Sequence, residues 1–279
     1  MGVVNVTPDS FSDGGNFLDP VEATDHALRL LGEGADIIDI GGESTRPGTR
    51  ILPDKTGLKQ PVSAAEELER VMPVIESLHK ERPDAVISID TYKADVARAA
   101  IAAGADIVND VSALQWDAKM AGACAELQCG VILMHTRGRP QEWHELGPVE
   151  NITALVEHDL ANRLQVAFEM EIERDRIVLD PGFGFGKNFA ENYSLLAHFG
   201  DLHRMGFPLM AGTSRKSFLG RTVRERTGRE LPAAGRLNSS LAATVASILA
   251  GAHIVRVHDV TPAVEAAAIA DAILAARGA

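Results

Sequence analysis

Short runs of β-branched residues alternate with longer amphipathic segments along almost the whole chain of 279 residues. Such runs are typical of buried strands when glycine or proline bounds them, and the segments between them are typical of helices. We predict eight strands, near residues 3–7, 36–40, 86–90, 107–109, 131–135, 177–180, 209–212 and 254–258. We predict eight helices, near residues 20–33, 63–81, 93–103, 118–128, 152–170, 190–204, 239–250 and 262–276. This alternation implies parallel strands joined by helical crossovers.

Eight strand–helix units in this length favour an α/β fold of one kind, a single closed (β/α)8 TIM barrel that forms one domain over residues 1–279. The alternative is an open, doubly wound sheet, which should carry a glycine-rich phosphate-binding fingerprint after its first strand. Residues 5–15 do not match that fingerprint. The segments 7–15, 42–62 and 213–237 follow strands 1, 2 and 7, and we expect them to be long loops at the catalytic mouth.

Charge and cysteine content restrict the class of partner and the compartment. The net charge of −12 argues against nucleic acid and anionic membranes, because both require a basic surface. The two cysteines, Cys124 and Cys129, are not spaced as Cys-x-x-Cys, and we expect them to be buried and reduced. The chain enters a strand at once, without the pattern of a signal peptide, so we expect a cytoplasmic protein.

Polar side chains follow three of the predicted strands at their carboxyl ends, where a barrel of this kind carries its active site. They are Asp90, Asn109 and Asp180, each beside an apolar run. A carboxylate in such a place must be paired, hydrated or used to bind a ligand. Carboxylates accept hydrogen bonds and an amide both donates and accepts, so together they can read the edge of a heterocycle that carries N–H donors. The alternative is that these residues cap the following helices, as Asp90 could do.

A second group of residues is suited to an anion. Lys216 and Ser217 follow the seventh strand, where we predict that a short helix begins. Backbone N–H groups at the start of a helix favour a carboxylate or a phosphate. Arg256 and His258 alternate with valines and therefore point to the same face of the last strand, beside Asn5 of the first. These three side chains could form a diphosphate pocket, with Asn5 as a ligand of Mg²⁺. A structural ion pair of Arg256 with Asp259 is the alternative.

Several segments of the chain resemble dihydropteroate synthases, in the same order along the sequence. The opening residues 1–15 read MGVVNVTPDSFSDGG, and residues 41–48 read GGESTRPG, which is similar to the second-loop signature of that family. The segments SIDT at 88–91, ND at 109–110, DPGFGF at 180–185 and SRKSF at 214–218 also match. The resemblance implies a transferase of folate biosynthesis that condenses 4-aminobenzoate with 6-hydroxymethyl-7,8-dihydropterin diphosphate by a dissociative, SN1-like displacement. The products are 7,8-dihydropteroate and diphosphate.

The resemblance also implies a role for individual residues. The pterin would be held by Asp90, Asn109, Asp180 and Lys216, with Met134, Phe185 and Gly212 lining its slot. Arg256 would lie along the pterin and would hold the diphosphate and Mg²⁺ together with His258 and Asn5. Thr45, Arg46 and Ser217 would receive the aminobenzoate, and Asp13 would belong to a mobile first loop. The family further implies sulfonamides as inhibitors and a homodimer through the last helices.

One segment departs from the family pattern, and two other functions stay open. Residues 49–60 are longer than the family's usual link, either as a tolerated surface excursion or as a change in how the loop closes over aminobenzoate. A pterin-binding methyltransferase barrel would share Asp90, Asn109 and Asp180 but would not need residues 214–217 or 44–47. A non-catalytic pterin-binding barrel would be expected to lack Lys216 or Asp13.

Overall fold

A computed structural model describes residues 1–7, 19–44 and 62–278 of the chain. Eight parallel strands lie in this part: β1 Gly2–Asn5, β2 Ile37–Gly41, β3 Val86–Asp90, β4 Ile107–Asp110, β5 Gly130–Met134, β6 Ile177–Asp180, β7 Met210–Ala211 and β8 Ile254–Val255. The predicted strands are confirmed, although β7 and β8 are shorter than predicted. The predicted α/β class with parallel strands is therefore confirmed as well.

The strands are connected by helices, of which the described residues contain nine: α1 Pro20–Gly32, α2 Ala64–Glu81, α3 Ala94–Ala102, α4 Met120–Leu127, α5 Ile152–Glu169, α6 Phe189–Ala197, α7 Ser217–Thr227, α8 Leu237–Leu249 and α9 Val260–Gly278. Side chains satisfy the N–H groups that the first turn of a helix leaves unpaired. Ser63 and Glu66 form a reciprocal capping box at the start of α2, and Asn188 and Glu191 form another at α6.

Two helical segments differ from the prediction. The region 213–237, predicted as a long loop with a short helix at its start, contains the eleven-residue helix α7 and a 3₁₀ turn at Ala233–Arg236. The buried residues of α7 are Phe218, Leu219 and Gly220. The other residues of this helix lack the apolar repeat of 3.6 residues by which a helix is predicted from sequence. The predicted helix near 190–204 ends at Ala197 and continues as a 3₁₀ helix.

The ring of strands consists of two hydrogen-bonded sheets. Strands β1 to β6 form one sheet in sequence order, and β7 pairs with β8. Single bridges join the two sheets at both seams, between Leu179 and Leu209 and between Gly2 and Val257. The backbone N–H of Val3 donates to the Val257 carbonyl at 3.1 Å, which brings the last strand beside the first. The ladders are thus not continuous around the ring, but neighbours follow the order of a barrel.

The register of the ladders places four residues at one level of the ring. Asn5 pairs with Gly41, Gly41 with Asp90, and Asp90 with Asn109. Because successive side chains of a strand point to opposite faces, the next inward level is two residues lower, where Asp39 is paired with Ser88. Polar groups from β1 to β4 are therefore stacked in two layers, with the upper layer at the carboxyl ends of the strands.

Apolar side chains fill the space between the strands and the helices. The largest fully buried side chains include Phe183 and Phe199, which stack with ring centroids 6.3 Å apart. Cys124 and Cys129 are buried and form no disulfide, as predicted. In the described part of the chain, no helix is both long enough and apolar enough to cross a membrane.

Candidate active site

A cavity of 350 Å³ opens at the carboxyl ends of the strands. Every predicted site residue that the structure describes lines it: Asn5, Asp90, Asn109, Met134, Asp180, Phe185, Gly212, Lys216, Ser217, Arg256 and His258. The remaining predicted residues, Asp13, Thr45 and Arg46, lie outside the described residues, as does the long segment 49–60. Side chains from five strands, β1, β3, β4, β5 and β6, and from the segments that follow β6, β7 and β8 thus converge on one volume.

Arg256 crosses the floor of the cavity between two carboxylates. Its Nε donates to Oδ2 of Asp39 at 2.6 Å, and one terminal nitrogen donates to Oδ2 of Asp90 at 2.8 Å. The alternative pairing with Asp259 is wrong, because Asp259 instead accepts two hydrogen bonds from Arg215, at 2.5 and 3.0 Å. A planar guanidinium with two carboxylate partners is held in one orientation.

Burial and charge act in opposite directions on this group. Burial raises the pKa of Asp90 to about 7, although Arg256 opposes the shift, and the Asp39 carboxylate adds to it. Burial alone would lower the pKa of Arg256, but the carboxylates of Asp39 and Asp90 outweigh it and raise that pKa. The guanidinium is therefore permanently charged, and Asp90 changes its charge near neutral pH.

Asn109 presents an acceptor that the protein does not use. Its amide nitrogen donates to both oxygens of Asp39, at 3.3 and 3.2 Å. Its Oδ1 is buried and has no hydrogen-bond partner among the described residues. An unsatisfied buried acceptor costs about 1–3 kcal/mol, so a ligand that donates to it recovers that free energy. Asn109 is thus prepared for a ligand N–H.

The loop after β6 holds Asp180 by its own backbone. The N–H of Gly182 donates to Oδ1 of Asp180 at 2.7 Å. Gly182 has a φ of +68°, and a Cβ there would lie 1.9 Å from the carbonyl oxygen of His135, so this turn requires glycine. The buried ammonium of Lys187 donates to the carbonyls of Gly182, His135 and Phe185 at 2.7, 3.3 and 3.3 Å. Burial lowers the pKa of Lys187 to about 7.

One wall of the cavity combines a cation with aromatic rings. The ammonium of Lys216 lies 4.2 Å from the centroid of the Phe185 ring. Trp143 contacts the same ring edge-on, with centroids 5.5 Å apart, and lines the cavity. The cationic charge of Lys216 and Lys187 opposes the burial that raises the pKa of Asp180. This wall offers a flat apolar surface beside a carboxylate and an ammonium, which suits a flat heterocycle.

The segment where β7 ends and α7 begins also lines the cavity. Nδ1 of His258 lies 3.1 Å from Oγ of Ser214. Helix α7 starts at Ser217 without a side-chain cap, so its first N–H groups are available at the cavity. Arg236 donates to the carbonyl of Arg215 at 2.9 Å and lines the cavity as well. This end has the N–H groups and cations that an anionic group requires.

Comparison with known proteins shows the family to which these features belong. The profile of a family described as pterin binding enzyme matches residues 1–258. The dihydropteroate synthase of Escherichia coli strain K12 is 40% identical over 277 residues, which cover 99% of this chain and 92% of that protein. The chain belongs to the dihydropteroate synthase family.

Solved structures of this family have the same fold. The dihydropteroate synthase of Yersinia pestis, in complex with a sulfonamide drug, superimposes with a TM-score of 0.88 at 40% identity, over 99% of this chain and 93% of that one. The dihydropteroate synthase of Xanthomonas albilineans with 4-aminobenzoic acid gives a TM-score of 0.85 at 44% identity, over 99% and 92%. The TM-scores and coverage confirm the predicted fold class, and the family confirms the predicted transferase. Its activity is that of a dihydropteroate synthase.

The residues directly after β2 contact a cluster of buried charges on α2 and beside α3. Lys93, before α3, donates to Glu43 at 2.5 Å and to Glu67 of α2. The Glu67 side chain is only 1% exposed, and burial raises its pKa although Lys93 opposes the shift. Arg70 donates to the carbonyl of Gly42 at 2.7 Å. Gly42 and Glu43 are thus held by Arg70 of α2 and by Lys93 before α3.

We expect Lys93→Met to lower the free energy of unfolding by about 3–5 kcal/mol near pH 8, because it leaves the Glu67 carboxylate buried without its cation. Without Lys93 the folded-state pKa of Glu67 rises further above its unfolded value. The folded state then holds a proton that the unfolded state releases, so stability falls as pH rises and the loss is smaller at pH 5. Urea unfolding at both pH values measures this, with the exposed Lys119→Met as a control. Equal losses at pH 5 and pH 8 would contradict this account.

Two residues of the site carry roles that the sequence did not suggest. Asp39 pairs with Arg256 from inside β2, and a carboxylate in a run of isoleucines was the available signal. Trp143 lines the cavity from a 3₁₀ turn that carries no motif. His135 directly follows β5 but is buried and does not line the cavity, and its Nε2 lies 3.1 Å from Asp159. Burial lowers the pKa of His135 to about 4, so it is neutral at physiological pH.

Proposed function

We propose that the cavity binds the pterin diphosphate and 4-aminobenzoate side by side and joins them to form 7,8-dihydropteroate and diphosphate. The observation that carries this is the convergence of acceptors and cations on a single volume of 350 Å³. The acceptors are Asp90, Asn109 and Asp180, and the cations are Lys216 and Arg256. Few small molecules combine a flat ring rich in N–H donors with a strongly anionic tail, and a pterin diphosphate does.

The hydrogen-bond acceptors of the cavity recognise the N–H donors of the pterin ring. Asp180 and Asp90 accept from ring and amino N–H groups on two sides, and Asn109 accepts through its unpaired Oδ1. Met134 and Phe185 cover the ring, and Gly212 leaves room for it because a Cβ there would lie 3.8 Å from the Asp180 carboxylate. Lys216 lies on the Phe185 side, where its ammonium can donate to a ring acceptor.

Arg256, His258 and Asn5 hold the diphosphate. Within residues 1–7, 19–44 and 62–278, no group of three or more His, Cys, Asp or Glu side chains lies close enough to hold a metal ion. Asn5 lines the cavity and offers one amide oxygen as a ligand. This ligand fits a Mg²⁺ that arrives with the diphosphate and keeps its waters, as Mg²⁺ does at phosphate substrates. Bound there by Asn5 and the phosphates, Mg²⁺ would neutralise negative charge on the leaving group.

The aminobenzoate carboxylate is received at the start of α7. Ser217 and the uncapped N–H groups of the first turn favour an anion, and Arg236 adds a cation nearby. In the proposal Thr45 and Arg46 also receive the aminobenzoate and Asp13 acts during turnover; these three residues lie outside the described part of the chain. A sulfonamide presents a similar arylamine with an anionic group, so we propose that sulfonamides compete for the same place.

The displacement proceeds by departure of the leaving group ahead of attack. An arylamine is a weak nucleophile, so cleavage of the bond between methylene carbon and diphosphate oxygen carries most of the barrier. Arg256 and His258 stabilise the charge that develops on the diphosphate. Asp180 supports the positive charge left on the pterin and its exocyclic methylene. The amine nitrogen then bonds to the methylene carbon and loses one proton to water, and no enzyme nucleophile is needed.

Diphosphate release tests the proposal. With the pterin diphosphate and Mg²⁺ present, we expect release to depend on 4-aminobenzoate and to equal dihydropteroate formation. A sulfonamide titration should suppress both to the same degree. Binding of pterin without release would contradict the catalytic proposal, and a trapped pterin–protein adduct would contradict the absence of a covalent intermediate.

Pterin affinity should fall as pH decreases through about 7, the pKa to which burial raises Asp90. Protonated Asp90 offers one acceptor fewer to a ring N–H, so affinity well below that pKa should fall by about tenfold per pH unit. Calorimetric titration with 6-hydroxymethylpterin from pH 5.5 to pH 8.5 measures this. The same titration of Asp90→Asn should show weak binding without this pH dependence. A wild-type profile that is flat across this range would contradict the role of Asp90.

We propose a homodimer through the last helices. Three large apolar side chains of α9, Val264, Ile269 and Ile273, are 42%, 64% and 40% exposed. Ile269 and Ile273 lie one turn apart on the same face of α9, and an exposed apolar pair there supports a partner of the same kind. Sedimentation equilibrium at twice the chain mass of 29.8 kDa would agree with this, and the mass of a single chain at micromolar concentration would contradict it.

A further inference from the structure

We propose that Asp39 is a positioning residue that sets the hydrogen-bonding polarity of the pterin slot. It holds the amide of Asn109 with its nitrogen turned inward and its oxygen presented as an acceptor, and it fixes the guanidinium of Arg256 at the same time. The proposal rests on the proposed binding of a pterin in this cavity. Asp39 itself does not line the cavity and is fully buried.

Three groups donate four hydrogen bonds to the two oxygens of Asp39. Oδ1 accepts from Oγ of Ser88 at 2.6 Å and Oδ2 accepts from Nε of Arg256 at 2.6 Å. The amide nitrogen of Asn109 lies 3.3 Å from one oxygen and 3.2 Å from the other. The donors come from β3, β4 and the residue after β8, so Asp39 connects both ends of the ring of strands.

The orientation of the Asn109 amide follows from elementary hydrogen-bond chemistry. An ionised carboxylate only accepts hydrogen bonds, so the half of the amide that faces Asp39 must be the NH₂ group. The carbonyl half is then turned away from Asp39 and is buried without a hydrogen-bond donor among the residues that the structure describes. The slot therefore requires an N–H on the ligand at this point and rejects a ring nitrogen that is itself an acceptor, since two acceptors would face each other.

A variant of Ser88 is the control that distinguishes this positioning role of Asp39 from a purely structural one. Ser88 contacts the same carboxylate at the same distance as Arg256 does, and it is fully buried. Ser88 does not line the cavity. The hydrogen bonds from Asn109 and Arg256 to Asp39 do not involve its hydroxyl. Loss of its hydroxyl weakens the packing around Asp39 without removing the cause of the amide orientation.

Calorimetric titration with 6-hydroxymethylpterin at pH 8 tests the proposal in three variants. In Asp39→Asn the neighbouring amide can donate as well as accept, so Asn109 loses its fixed orientation and we expect at least about a tenfold loss of pterin affinity. In Asp39→Asn/Asn109→Asp, residue 109 presents an acceptor in either orientation and the charge beside Arg256 is retained. We expect this double variant to recover most of the lost affinity. Ser88→Ala should bind pterin like the wild type while its Tm decreases.

Steady-state kinetics give a second measurement, the KM for each substrate, and a loss of stability alone would not change the ratio of the two KM values. In Asp39→Asn the KM for the pterin diphosphate should rise at least tenfold while the KM for 4-aminobenzoate is unchanged. Wild-type affinity in Asp39→Asn, or a double variant weaker than the single one, would overturn the proposal. An equal loss of affinity in Ser88→Ala would also overturn it. Absence of pterin binding by the wild type would instead overturn the proposed function and this inference with it.

Discussion

Arg256→Met should reduce kcat/KM for the pterin diphosphate by about 10²- to 10³-fold, because it removes the cation that faces the leaving group. It should also lower the free energy of unfolding by about 3–5 kcal/mol, since Asp39 and Asp90 lose their common partner. The two carboxylates are 0% and 17% exposed, so water cannot replace the guanidinium at Asp39. Diphosphate release and urea unfolding measure the two effects.

Two further variants separate charge from geometry at this position. Arg256→Lys keeps the charge but cannot bridge both carboxylates with a planar fork, so we expect an intermediate loss of activity. Arg204 donates to Glu157 through two nitrogens on the surface, at 2.7 and 2.8 Å. Arg204→Met should therefore leave activity and stability almost unchanged, because an exposed pair of this kind contributes little. A stable and active Arg256→Met enzyme would contradict the place of Arg256 in the site.

Lys216→Ala should reduce kcat/KM by about 10²- to 10³-fold while the protein keeps its fold. The ammonium lies over the Phe185 ring at the edge of the cavity and beside Asp180, whose pKa it helps to hold down against burial. Its loss removes a contact to the pterin and a favourable charge at once. Circular dichroism and thermal unfolding should match the wild type, whereas diphosphate release should nearly disappear.

Arg229→Ala is the matched control for this prediction. Arg229 belongs to the same basic stretch of sequence, is exposed and does not line the cavity, so its loss should not change kcat/KM. Sulfonamide binding provides a further measurement, because Lys216→Ala changes the site next to the α7 start where the aminobenzoate is proposed to bind. Full activity in Lys216→Ala would contradict the role given to Lys216.

Much of the fold could be predicted because the strands and helices are encoded locally. The eight apolar runs appear as eight parallel strands, and the helices begin at caps that the sequence displays, such as Ser63 with Glu66. Helix α7 was underestimated because only three of its residues are buried. A helix that buries few apolar side chains lacks apolar residues at helical spacing, and the sequence then gives no signal by which to predict it.

The convergence of the site could also be predicted, because parallel strands in a barrel bring their carboxyl ends to one face. Asp90, Asn109 and Asp180 were identified as polar ends of apolar runs, and all three line the same cavity. The motifs around them carried the resemblance to dihydropteroate synthases, which the comparison with known relatives confirmed over 99% of the chain. The sequence by itself therefore determined the fold class, the family and the residue types that line the cavity.

Only the tertiary structure decided which charges are partners. Arg256 could pair with Asp259 three residues away, but it binds Asp39 and Asp90, which are 217 and 166 residues distant. Asp259 binds Arg215 instead. These choices depend on the register of the ladders and on the seam where the last strand meets the first, and neither is encoded in local spacing. Burial then raises the pKa of Asp90 to about 7. A pKa depends on the surroundings of a group in the folded protein, and its place in the chain does not reveal them.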